Sequence, residues 1–147
     1  MTRSIVPLAV VAVAACGSEP FSSPEARSLF AYSNDLVHAL HSEAFALPEW
    51  PATYELACPE GGRITMTSEL TPSGQPDTLW HPFIGCGVGG WVLDGQLDYL
   101  GITFCDANAP SFAMVGRFEV ADHGECVIDA QETCGVVTRG EACGVTL

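Results

Sequence analysis

The sequence predicts an α+β domain: one N-terminal helix packed on a mostly antiparallel, hairpin-built, disulfide-stapled β-sheet. Three observations point there. One stretch, residues 23–47, repeats its apolar residues near the 3.6-residue helical period. From Tyr54 onward, β-branched and aromatic residues alternate with polar ones, and glycine or proline breaks the runs. Six of the seven cysteines fall in that second part, an even number suited to three bridges.

The elements follow in order. Ser23 reads as a helix N-cap, with Pro24 at the first helical position and Glu25 in the first turn. Leu29, Leu36, Val37, Leu40, Ala44 and Leu47 make the apolar stripe, and Pro48 stops it. A helix is therefore expected over residues 24–46. "ATYELACP" is a short strand, and "GGRITMTSELT" turns at its glycine pair into an alternating strand. Residues 72–77 form a loop. "TLWHPFIGCGV" is a third strand, in which Pro82 marks an edge or a bulge. After Gly89-Gly90, "WVLDGQLDYLGITF" is one long strand or a pair kinked at Asp94-Gly95. "SFAMVGRFEVAD" and "ECVIDAQET" close around His123-Gly124, and the tail adds a last hairpin around Arg139-Gly140. "GGRITMTSEL" and "GGWVLDGQLDYL" echo each other, as serial hairpins do without any true repeat.

Cys58, Cys86, Cys105, Cys126, Cys134 and Cys143 are the expected disulfide cysteines. Sequence alone does not choose their connectivity. Cys58–Cys86 is favoured as one bridge, because each borders a predicted strand of the same sheet. No C-x-x-C pair is present, so neither a zinc finger nor a thiol oxidoreductase is indicated.

The beginning of the chain carries an address. Residues 1–4 hold one positive charge, Arg3, and residues 5–15 are uncharged and apolar apart from Pro7. As a helix that run covers about 16 Å, roughly half a bilayer's hydrocarbon core, too short for a permanent span. "VAAC" at residues 13–16 resembles a bacterial lipobox: an aliphatic residue, two small ones, then the cysteine that becomes the lipid-bearing N-terminus. The resemblance implies a lipoprotein signal peptide over residues 1–15, lipid attachment at Cys16, and a tether over residues 16–22. Residues 23–147 remain as a single domain. It implies anchoring in a bacterial cell envelope, with the outer membrane favoured because Gly17, not Asp, follows Cys16. Two or more acyl chains would anchor stably where one binds only marginally. Beyond the lipobox, the chain resembles small lipoproteins of predatory and soil deltaproteobacteria. The shared features lie at residues 58–62, Gly85-Cys86, residues 93–95 and residues 124–129. They are turns and staples, and the resemblance implies no activity.

The full chain has a formal charge of −13 and no lysine. Removing residues 1–15 takes only Arg3 with it, so the mature chain is more negative still. Such a surface repels phosphate backbones, which excludes nucleic acid as a partner, and it has no basic patch for anionic lipids.

The chemistry-bearing residues are few. His38 and His41 lie three apart on the predicted helix, near Glu43, and could begin a metal site; partly exposed helix flanks are the simpler reading. His81 sits on a strand. Asp122, His123 and Glu125 cluster in a turn. Asp94 and Asp98 share one strand face, as a carboxylate pair or as plain solvent-facing acids. Trp50, Trp80 and Trp91 could line a sugar-binding face, with burial the better expectation for at least two of them. "GCGVGG" resembles a phosphate cradle only by glycine count, with no helix start after it. No lipase-type elbow, zincin motif, Walker loop or EF-hand loop occurs. No catalytic residue, metal ligand or cofactor is therefore assigned. The expected function is a non-catalytic, lipid-anchored envelope module, structural or binding a protein or polymer. A small inhibitor or ligand-binding module ranks second. A carboxylate or histidine hydrolase ranks third, to be favoured if His123, Asp94 and Asp98 shared a pocket.

Overall fold

The computed structural model describes residues 20–106 and 109–147; the expected signal peptide, Cys16 and Gly17 lie outside the described residues. One helix, α1 (Ser23–Phe45), precedes eight strands. These are β1 (Thr53–Ala57), β2 (Arg63–Leu70), β3 (Pro76–Val88), β4 (Trp91–Asp106), β5 (Ala109–Val120), β6 (Gly124–Thr133), β7 (Val136–Ala142) and β8 (Val145–Thr146). Each strand pairs antiparallel with its neighbour in chain order, giving one open sheet β1-β2-β3-β4-β5-β6-β7-β8. The α+β class, the hairpin-built sheet and its staples are as the sequence predicts.

The helix starts one residue earlier than expected, at the residue assigned as its cap. Ser22, not Ser23, is the N-cap, and Glu25 Oε2 accepts from both its backbone N–H at 2.8 Å and its hydroxyl at 2.6 Å. The first Ser was the better candidate because its spacing to Glu25 is that of a capping box. Phe21, assigned to the tether, packs on Trp91 and His123. Ala26, Leu29, Phe30, Ser33, Leu36, Val37, Leu40 and Ala44 are buried on one stripe of α1. That stripe faces the concave side of the sheet.

Period-2 alternation sets what the sheet offers in return. Ile64 and Met66, Leu79 and Phe83, Leu93 and Leu97, Met114 and Phe118, and Cys126 and Ile128 all point inward and are buried. The sheet curls, and α1 touches strands from both of its ends: β1, β2 and β3 on one side, β7 and β8 on the other. Tyr54 of β1 donates to Glu43 Oε2 at 3.1 Å, and Arg27 donates to the Thr146 carbonyl of β8 at 3.3 Å. The helix thus lies across the gap between two edge strands that do not pair with each other. Gly95 shows how the curl is tolerated. It stands between Phe83 and Phe118 in register, and a Cβ there would lie 2.1 Å from the Arg117 carbonyl oxygen.

Two local expectations are corrected. Pro82 lies in central strand β3, not at an edge, and the β2–β3 ladder skips from Ile64↔Phe83 to Thr67↔Trp80. The skip falls at Pro82, which has no N–H to give to the ladder. The last turn is not at Arg139-Gly140: β7 runs through both residues, and the chain turns at Cys143-Gly144. Gly140 serves a close approach rather than a turn, since a Cβ there would meet the Ala130 Cβ at 2.5 Å.

Three disulfides close the structure: Cys58–Cys86, Cys105–Cys134 and Cys126–Cys143. The favoured first pair is present. Three bridges in one domain indicate an oxidising, extracytoplasmic compartment. No described helix is long and apolar enough to cross a membrane.

Candidate functional site

The C-terminal half of α1 buries Leu36, Val37, Leu40 and Ala44 against the sheet, and its neighbouring flank is left open. Between that flank and β3–β7 lies a cleft of about 880 Å³. From the helix it is lined by Asn34, Asp35, His38, His41 and Phe45, and Trp50 follows from the loop. From the sheet come Leu79, Tyr99, Ile102, Phe104, Phe112, Glu132 and Val137. A smaller pocket shares Phe45, Trp50, Pro76 and Phe104 with it and extends its apolar end.

Two polar residues of the sheet, Tyr99 and Glu132, line the cleft, and His81 lies behind them bonded to the cleft residue His41; all three sit in phase with apolar neighbours. His81 shares the inward face of β3 with Leu79 and Phe83. Tyr99 follows Leu93 and Leu97 on β4, and Glu132 follows Cys126, Ile128 and Ala130 on β6. All three are buried.

Their hydrogen bonds are specific. His81 Nδ1 lies 2.6 Å from the Leu97 carbonyl oxygen, which only accepts, so Nδ1 carries the proton. His81 Nε2 is then an acceptor, and His41 Nε2–H donates to it at 2.8 Å. Both rings are held neutral. Burial drives His41 down to about 3, helped by His81 and His38. Burial likewise drives His81 down to about 4 against the Leu97 bond. Tyr99 donates to Asn34 Oδ1, and its ring stacks on Phe112 at 4.0 Å. It meets His41 and His81 edge-on. Burial, then the charges of Glu132 and Asp35, push the phenol well above its ordinary range. Glu132 is 3% exposed. Burial raises its carboxyl, and His38, 4.0 Å away, pulls the other way. The Trp50 indole N–H is buried with no partner.

The sequence-marked residues scatter. His38 is exposed as expected, but His41 turns inward. Among the described residues, no three His, Cys, Asp or Glu side chains converge as a metal site. Asp94 and Asp98 do share a face, but it is the outer one: Asp94 accepts from the Gly85 N–H at 2.7 Å, and Asp98 from Gln96. His123 is stacked on Phe21 at the far end of α1. Asp122 is exposed beside it, and Glu125 pairs with Arg117 at 2.8 Å. The pocket that would have favoured a hydrolase is not built. The three tryptophans are each half-buried rather than sunk in the core, and they do not share a face. Trp50 lines the cleft, Trp91 packs on His123, and Trp80 is out of phase with inward Leu79 and His81. Tyr99 and Glu132 were missed as cleft residues. The signal was present in "CVIDAQET", where an acid takes an inward slot of an alternating strand.

Acyl or phosphoryl transfer needs a nucleophile beside a base. Here the hydroxyls of Ser33 and Ser42 are spent on helix carbonyls, Tyr99 is tied to Asn34, and the described cysteines are paired. The arrangement suits holding a molecule, with apolar walls and a few fixed polar groups. No protein-family model matches the chain, and no curated protein or solved structure is similar to it.

Proposed function

We propose that the chain is an exported binding module, lipidated at Cys16 and held at a bacterial envelope membrane, that carries a small amphipathic ligand between α1 and the sheet. One observation carries the reading: the 880 Å³ cleft, whose aromatic walls meet a few polar groups fixed by hydrogen bonds. The volume lies within the ordinary range for small-molecule sites. Of the functions drawn from the sequence, the ligand-binding module therefore moves ahead of the structural or polymer-binding one. Gly17 after Cys16 favours the outer membrane.

Two measurements test this. Cells grown with a clickable fatty acid should label the wild type and not Cys16→Ser; equal label on both would remove the anchor from the proposal. The full chain carrying Cys16→Ser, exported so that its disulfides form, should bind N-phenyl-1-naphthylamine one-to-one with a rise in dye fluorescence. Ile102→Trp, which fills the cleft, should abolish that rise with an unchanged circular dichroism spectrum. Dye binding that survives the filled cleft would mean that the dye, and the function, lie elsewhere.

A further inference from the structure

The cleft has a direction. Glu132, His38, Asn34 and Asp35 stand at one end, and Phe45, Trp50 and Phe104 at the other. Between them lie the stacked rings of Tyr99 and Phe112. From β6 to β3 is three strand spacings, roughly 14 Å. One end is acidic and the other greasy.

No arginine or lysine lines the cleft. The chain has no lysine at all, and the four arginines of the described residues are each engaged elsewhere. Arg27 bonds the Thr146 carbonyl, Arg63 pairs with Glu55, Arg117 with Glu125, and Arg139 bonds Gln131. A carboxylate or phosphate head would enter beside Glu132 with nothing to receive it. The carboxyl group of Glu132 has its side chain 4% exposed, and the one basic side chain near it, His38, lies at 4.0 Å and is itself 45% exposed. That distance is too long for a hydrogen bond. A buried carboxylate so weakly partnered is costly, and a ligand ammonium would relieve the cost.

Resting on the cleft reading above, we propose that the ligand is a cationic amphiphile, an alkyl- or arylalkylammonium. Its head sits at Glu132, and its tail runs over Tyr99 and Phe112 to Trp50 and Phe45. Asp35, exposed at the acidic end, draws the head in.

Three probes with one tail test it at pH 7.5: 1-octylamine, 1-octanol and octanoate. They are titrated by calorimetry, below their aggregation concentrations, into the full chain carrying Cys16→Ser. Octylammonium should bind roughly tenfold or more tighter than octanoate, with octanol between them. Glu132→Gln should erase the preference for the amine and leave octanol binding as it was, which also shows that the variant is folded. Glu119→Gln, an exposed acid on the outer face, should change nothing. Equal binding of the three heads would overturn the charge proposal and leave the cleft reading standing. No binding of any probe would overturn both. An amine preference that survives Glu132→Gln but is lost in Glu119→Gln, or in high salt alone, would assign it to the acidic surface and overturn the site.

Discussion

At one end of the sheet lie the β1–β2, β3–β4, β5–β6 and β7–β8 turns, with two disulfides whose cysteines are mostly buried, Cys58, Cys86 and Cys126 among them. There Phe83 and Phe118 meet edge to face, and the inward side chains are apolar. At the other end lie the β2–β3, β4–β5 and β6–β7 turns, one disulfide with both cysteines exposed, and the cleft with its histidines, tyrosine and glutamate. The same helix and the same strands build both ends. What differs is which residue types occupy the inward slots. Apolar slots let α1 collapse onto the sheet; polar slots must keep partners and leave room. The closed end holds the fold together, and that frees the other end to stay open.

The largest expected effect tests the closed end. Phe118 is fully buried. Phe118→Ala should cost about 3–5 kcal/mol, transfer and cavity terms together. Urea unfolding would read it directly. A cost below about 1 kcal/mol would mean that the closed end is not where stability resides.

Next comes pH, which acts on the open end. His41 and His81 fall to about 3 and about 4 in the fold, against 6.5 in the unfolded chain. Below about 6.5 the unfolded chain therefore binds more protons. Stability is full above that value and is lost as pH falls towards the folded values. Glu132 and Asp98, both raised by burial, work in the opposite sense near pH 4–5 and offset part of the loss. The two rings alone would cost roughly 6 kcal/mol between pH 7 and 4, and the acids return part of it, leaving a net fall of a few kcal/mol. Replacing both rings at once, His41→Leu with His81→Leu, removes donor and acceptor together and should flatten the profile. A double variant with the wild-type slope would place the pH sensitivity elsewhere.

How much of this contrast was legible beforehand follows from range. Helix period, strand alternation and glycine-marked turns are local, so α1, the hairpins and the pairing Cys58–Cys86 could be read from the chain. Gly140 misled because glycine serves a turn and a close approach equally well, and only the packing on Ala130 decides between them. The inward acid Glu132 was readable from its phase with Cys126 and Ile128. The bond between His41 and His81 was not, since they are 40 residues apart and meet only through the angle at which α1 docks. The closed end repeats a local rule; the cleft is a product of tertiary placement.

Disulfide reduction should separate the ends kinetically. Cys105 and Cys134 are both exposed, whereas Cys58, Cys86 and Cys126 are 6% exposed or less. Thiol–disulfide exchange needs access to sulfur, so Cys105–Cys134 should open first under mild reductant. The singly reduced protein should lose about 2 kcal/mol, the low end of the usual range, and keep its circular dichroism spectrum. Peptide mapping after brief alkylation identifies the bridge. First release of Cys126 or Cys143 would reverse the comparison between the ends.

The smallest effect is the finest test of the open end. Tyr99→Phe keeps the ring, and with it the stack on Phe112 and the edge contacts to His41 and His81. Only the hydroxyl that donates to Asn34 is removed. Asn34 is half-exposed on α1, so water can reach its freed oxygen, and no buried acceptor is orphaned. The cost should be one ordinary hydrogen bond, about 1 kcal/mol, seen as a small drop in Tm. A loss as large as that of Phe118→Ala would show that the Tyr99–Asn34 bond fixes the docking of the whole helix. The two ends would then be one cooperative unit, and the cleft could not vary in its polar groups without unfolding the core beside it.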